Sequence, residues 1–350
     1  MVWGKEMDQL FQSTSLGPLT LKNRIVRSAT NEHLSEPDGQ VTRAWADALI
    51  ELAAHEVGLV ISGHFCVDAS QRADEGQPVL DEKTDREILR CAADGVHQYG
   101  SKVLIQLSHS GIKAMERVNG AAAKHPEDFS LSELDRLVER FVYAAECCKV
   151  CGFDGVQIHT AHGYLLSNFL NPSENLRTDE YGGSLANRFR LIAHILSAVK
   201  TACGKSFAVI VKANCNDCGD FPALLRLYEA FGADGVEVSG IDFNHRVGQK
   251  TPFYAQTLLQ ARGCVSIPVF PVGGVFSRQT AEELLQQGFS LVSLSRALIC
   301  EPDFAAKLKS GAANESKCTA CNGCFSVYRR RFVRCVQHDV LLPQLKKVFG

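Results

Sequence analysis

Eight short runs of Val, Ile and Leu punctuate the chain, with room for a helix between most of them. They are RIVRSA (24–29), GLVISG (58–63), KVLIQLS (102–108), GVQIHT (155–160), AVIVKAN (208–214), GVEVSG (235–240), PVFPVGG (268–274) and LVSLSRA (291–297). None alternates strictly between apolar and polar residues. Nearly continuous apolar runs mark strands covered on both faces, as in a parallel sheet. Helical patterns fill the gaps. TRAWADALIELAAHEV carries a Thr42 cap, LSELDRLVERFVYAAECCKVCG offers Ser132 as cap and ends in Gly152, and SRQTAEELLQQG ends in Gly288. GFDGVQI and GADGVEV repeat one device, a Gly-containing turn that leads straight into a buried strand. Eight strands alternating with helices over roughly 270 residues predict an α/β fold, a TIM (β/α)8 barrel, which typically takes about 250 residues. An open doubly wound sheet is the alternative, but no GxGxxG follows the first run. STSLGPLTLKN, ahead of that run, reads as a β-hairpin capping the barrel bottom. No linker divides the chain before about Ser310, so residues 1–310 are expected to form the barrel. Residues 311–350 then form a Cys-rich tail that packs on it or on a neighbouring subunit.

Position within such a barrel carries weight, because chemistry gathers at the C-terminal ends of the strands. Ser28 to Asn31 end the first run, Gln106 and His109 the third, His159 the fourth and Lys212 the fifth. Gly273 and Gly274 end the seventh, and Ser295 and Arg296 the eighth. The loops after the last two strands are the usual phosphate site of this fold, where backbone N–H groups and an arginine meet an anion. A phosphorylated cofactor or substrate is therefore expected there. A lysine in a barrel mouth requires an anionic partner or a depressed pKa, which is the demand Lys212 makes. In HTAHGYLLSNFLNP (159–172), His159 and His162 stand three apart with Tyr164 close behind. No third ligand completes a metal set. A donor pair for a carbonyl or phenolate oxygen, with Tyr164 as a nearby acid, is the better reading.

Composition changes little. A net charge of −2, 45% hydrophobic and 22% charged residues point to neither nucleic acid nor an anionic membrane. The N-terminal MVWGKEMDQLFQS has no apolar core of a secretory signal, so a cytoplasmic protein is expected. Most of the 14 cysteines, such as Cys91, Cys147, Cys148 and Cys203, sit in apolar periodic segments as small core residues. Four do not. Cys318, Cys321, Cys324 and Cys335 form C-x2-C-x2-C-x10-C, a grouping open to a [4Fe–4S] cluster, to zinc or to a purely structural role. The RRRFVR run among them reads as a solvated basic face, and Cys215 with Cys218 as incidental.

NRIVRSAT, IQLSHSG, HTAHGYLLSNFLNPSENLRTDEYGGSLANR, PVGGVFS and SLSRALICEPD occur in an order and spacing that resemble the Old Yellow Enzyme family of FMN-dependent NAD(P)H oxidoreductases. The resemblance covers about residues 10–335. It implies FMN across the barrel mouth, NAD(P)H as reductant and a small electrophilic acceptor, and a homo-oligomer is expected. It implies that His159 and His162 hold the acceptor's oxygen and that Tyr164 protonates its carbon. By the same resemblance Gln106 meets the flavin pyrimidine edge and Lys212 lies beside flavin N1. Gly273, Gly274, Ser295 and Arg296 hold the phosphate, while Ser28, Ala29, Thr30, Asn31 and Gly63 lie along the flavin. Ser295 stands where relatives often have Gly, Asn31 where they often have Thr or Cys, and Ala29 where Pro is common. The larger relatives, of dienoyl-CoA reductase and amine-demethylase type, carry an Fe–S cluster on a similar cysteine pattern and work with a further domain or partner. That makes a second redox reading. A phosphate-binding aldolase or isomerase barrel is the non-redox one.

Overall fold

The structure, a computed structural model, describes residues 8–325 and 332–338. A hairpin of β1 (Thr14–Leu16) and β2 (Leu19–Leu21) precedes eight parallel strands. These are β3 (Ile25–Arg27), β4 (Leu59–Cys66), β5 (Lys102–Ser108), β6 (Gly155–Thr160), β7 (Ala208–Asn214), β8 (Val236–Ser239), β9 (Val269–Pro271) and β10 (Val292–Leu294). All eight predicted runs are strands. They pair in the order β10-β3-β4-β5-β6-β7-β8-β9, and a parallel bridge from Val272 to Ser293 joins β9 to β10. The sheet is therefore a closed barrel, and the open doubly wound alternative is set aside. Every residue of β4, β6 and β7 is buried, the condition that makes their sequences continuously apolar.

The hairpin closes the bottom from inside. Leu16, Leu19 and Leu21 pack against Val26, Leu59, Ile61, Leu104, Ala208, Ile210, Phe270 and Leu291. A side chain at Gly235, where β8 begins, would lie 2.6 Å from Leu16 Cδ1, so the plug needs glycine there. The repeated turn also has a physical basis. Asp154 Oδ2 accepts the Val103 N–H at 2.9 Å, and Asp234 Oδ2 accepts the Val209 N–H at 2.7 Å. Each aspartate thus ties the start of its own strand to the strand before it, and Lys102 and Lys200 neutralise them at 2.7 Å.

Two local expectations need correction. The helix Leu131–Val150 is capped by Ser130, not Ser132. Ser130 and Glu133 form a reciprocal capping box, which satisfies two N–H groups at once and so wins over a hydroxyl one turn position later. The second strand runs on past Gly63 to Cys66, with a register shift between Ile61 and His64. Polar His64 hid that continuation. Thr42 does cap its helix, accepting the Trp45 N–H at 3.2 Å.

Candidate active site

The strand ends and the loops above them enclose a cavity of about 450 Å³, within the range of cofactor and substrate clefts. Ser28, Ala29, Thr30, Asn31, Gln106, His159, His162, Tyr164, Lys212, Gly273, Ser295 and Arg296 all line it. Gly63 and Gly274 do not. A Cβ on Gly63 would meet Glu32 Oε2 at 2.5 Å and the Thr30 carbonyl at 2.8 Å, so this glycine lets the strand and the 30–32 loop touch. At Gly274, with φ +84°, a Cβ would fall 1.7 Å from the Thr251 carbonyl oxygen. Both residues shape the site from behind.

Beneath the cavity runs a polar floor that joins five strands. Gln106 Nε2 donates to Gln157 Oε1 at 2.7 Å, and Gln157 Nε2 donates to Glu237 Oε2 at 2.9 Å. Lys212 Nζ pairs with the same carboxylate oxygen at 3.2 Å and donates to Ser28 Oγ at 2.6 Å. The anionic partner that Lys212 demanded is Glu237, fully buried and opposite it in register on β8. Burial alone would push the Glu237 carboxyl up, but Lys212 and the Gln157 N–H together hold it below the usual carboxylate range.

Three histidines and a tyrosine form one wall. His159 and His162 stack edge to face with centroids 5.2 Å apart, and Tyr164 lies 5.0 Å from His159. His162 adopts φ +63° and Gly163 φ +71°, a left-handed pair that turns the chain back at the end of β6. The turn is held where the His162 N–H donates to Asn214 Oδ1 at 3.2 Å, and the imidazole Nε2 sits 2.9 Å from Ser239 Oγ. Burial drives the pKa of both histidines well below 6.5, and the charges of Lys212 and Lys113 add to the effect. The shift favours the neutral ring, which carries one N–H. His159 Nδ1 is buried and has no hydrogen-bond partner among the described residues. The sequence reading missed His64, whose Nε2 lies 3.0 Å from the Tyr164 hydroxyl and whose pKa burial lowers to about 3. Phe243, Phe253, Tyr254, Phe325 and Val333 complete the walls, two of them (Phe325 and Val333) from the tail.

At the far end sits Arg296. It donates to Asn322 Oδ1 and, at 3.4 Å, to the Ala320 carbonyl, and among the described residues no carboxylate pairs with it. Burial lowers its pKa, with the nearby tail cysteines and Tyr254 acting the other way. Thr30 Oγ1 and Ser295 Oγ stand 3.3 Å apart beside it. A buried guanidinium with no carboxylate, adjoining glycines at φ +106° and +84°, fits a phosphate.

The tail cysteines meet around one small cavity. Cys318, Cys321, Cys324 and Cys335, joined by Cys300, line a cavity of about 20 Å³, room for about one water. Among the described residues no group of three or more Cys, His, Asp or Glu side chains is placed to hold a metal ion. Burial raises the thiol pKa of Cys318 and pushes that of Cys324 to about 11, whereas the Gly323 N–H lowers that of exposed Cys321. Arg329–Arg331, the first half of the basic run, lie outside the described residues, as do the first seven residues of the N-terminal stretch. No helix among the described residues is long and apolar enough to cross a membrane.

A closed barrel whose mouth holds a buried guanidinium, a chain of amides over a carboxylate and a histidine pair has a lining suited to a phosphorylated heterocyclic cofactor. The chain belongs to the NADH:flavin oxidoreductase / NADH oxidase family, whose model matches residues 9–315. FMN is the cofactor of that family. The chain is 27% identical over 363 residues to an NADH oxidase of Thermoanaerobacter brockii, covering 95% of this chain but only 56% of that protein. It is 32% identical over 315 residues to an NADPH dehydrogenase of Bacillus licheniformis, covering 84% and 92%. An Old Yellow Enzyme homologue from Zymomonas mobilis superposes with a TM-score of 0.78 at 22% identity, covering 95% of this chain and all of that one, which speaks for the fold. The chain thus spans about half of the first relative and nearly all of the second. Family membership sets aside the aldolase or isomerase reading.

Proposed function

We propose that this protein uses NAD(P)H to reduce activated C=C bonds of α,β-unsaturated carbonyl compounds. The observation that carries the reading is the stacked His159–His162 pair beside Tyr164, on the wall of a cavity that also holds a guanidinium paired with no carboxylate among the described residues.

Bound FMN supplies the two-electron chemistry between NAD(P)H and the acceptor. The chain does the rest. Arg296, Ser295 and Thr30 would hold the FMN phosphate, Gln106 would meet the pyrimidine edge, and the Lys212 ammonium would offset negative charge there. His159 and His162 each donate an N–H to the acceptor's carbonyl oxygen and stabilise the enolate-like charge that grows as its β-carbon is reduced. Neutral rings suit this task, since a neutral imidazole N–H is too weak an acid to give its proton up and so holds the oxygen by a hydrogen bond alone. Tyr164 O–H gives a proton to the α-carbon and is replenished from solvent. Phe243, Phe253, Tyr254 and Phe325 keep water from the reacting carbons.

The test replaces His159 and His162 singly by Ala. Each variant should retain FMN but bind phenols more weakly, and enone turnover should fall about 100-fold, the usual loss for one oxyanion donor. Normal enone turnover by both variants would overturn the assignment.

A further inference from the structure

We propose that Glu237, which no ligand in the cavity can reach, sets the donor–acceptor sense of the Gln106 amide by way of Gln157. Gln157 and Glu237 are both fully buried and neither lines the cavity, whereas Gln106 does. They come from β6 and β8, alternate strands that share a layer of the barrel.

The logic is chemical. A carboxylate accepts hydrogen bonds and donates none, so Gln157 must turn its NH2 toward Glu237, 2.9 Å away. Its carbonyl oxygen is then the group that faces β5. Gln106 must answer with its own NH2, at 2.7 Å, and is left to present Oε1 to a ligand. Lys212, 3.2 Å from the same carboxylate, keeps Glu237 in its acceptor-only form. Reversal of either amide would set two NH2 groups or two oxygens face to face in a buried site. The inference rests on the reading that Gln106 meets the flavin, whose pyrimidine ring carries one N–H between two carbonyls. An acceptor with an adjacent N–H matches that edge, and the inverted amide does not. Glu237 is thus a positioning residue that selects the cofactor's edge without touching it.

A polarity swap tests this, read as FMN dissociation from the diluted holoprotein by the fluorescence of released FMN. Gln106→Glu confronts the Gln157 oxygen with a carboxylate and should weaken FMN binding about 100-fold. Adding Glu237→Gln frees Gln157 to reverse, its NH2 now serving the carboxylate introduced on β5 and its oxygen accepting from the amide introduced on β8. The double variant, with the net charge of the natural chain, should recover at least about tenfold relative to Gln106→Glu alone. Losses that simply add would overturn the relay, since a merely structural Glu237 can only make matters worse. If Gln106→Glu fails to fold, recovery of a folded protein in the double variant supports the relay, and continued failure overturns it. Gln106→Leu tests the underlying reading separately: unchanged FMN affinity in that variant would remove Gln106 from the flavin site, whatever the swap does.

Discussion

Replacing His64 by Gln should abolish the uptake of one proton when the protein unfolds in mild acid. His64 is buried at the end of the cavity wall, and burial, reinforced by the charges of His33, Lys113 and Lys212, lowers its pKa to about 3. In the unfolded chain an imidazole titrates near pH 6.5. At pH 5.0 the unfolded residue therefore holds about 0.97 proton and the native one about 0.01. Because the native pKa is the lower, the unfolded state binds more protons. The stability contributed by neutral His64 is fully present above pH 6.5 and is lost as the pH falls below it. Between pH 7.5 and 5.0 the loss amounts to about 2 kcal/mol from this residue, a sizeable part of a typical total of about 5–15 kcal/mol. His159 and His162 act in the same direction. The assay is a potentiometric titration of native and urea-unfolded protein, with and without His64→Gln, in excess FMN. The variant should show about one proton less in the difference between the two states at pH 5.0. A change below about 0.3 proton would mean that His64 is already charged in the native state, and the account of a neutral donor wall would fall with it.

Arg296→Met should release FMN on desalting while leaving the helix content by circular dichroism unchanged; retention of FMN at the natural level would show that another group anchors the phosphate. Gly274→Ala must place a methyl on the Thr251 carbonyl at φ +84°, so it should cost at least about 2 kcal/mol in urea midpoint analysis. Gly183→Ala, with φ +79° and open space around it, should cost less, and equal losses would mean that the contact is immaterial. Lys212→Met strands Glu237 and should destabilise by about 3–5 kcal/mol, with Glu237→Gln in the same chain restoring most of it; additive losses would argue against the pair.

Much of this was legible along the chain because burial on both faces forces a strand to be apolar throughout, and the polar residues that interrupt such runs fall at the mouth. His159, Gln106 and Lys212 announced themselves in that way. Glu237 sits in an equally apolar run, GVEVSG, but its meaning depends on facing Lys212 across the β7–β8 register, 25 residues away. A one-residue slip would have turned it outward, and sequence alone does not fix that register. His64 was obscured by the irregular stretch after Ile61, which continues the strand where a turn was expected. Phe325 and Val333 join the cavity from a segment without periodicity. Their placement follows from tertiary bonds such as the Val333 N–H to the Glu32 carbonyl at 3.0 Å.

The pairing of β3 with β10 has its own consequence. Ser28 to Asn31 and Ser295 to Arg296 stand on the two sides of the seam where the first barrel strand meets the last, some 265 residues apart in sequence. Closing so long a loop carries an entropic penalty that local contacts do not repay. A cofactor held by residues of both banks would act as a rivet across this joint. It would bind the two ends of the barrel sheet to each other, so cofactor loading would favour ring closure. Chains starved of FMN should then come apart first at this seam.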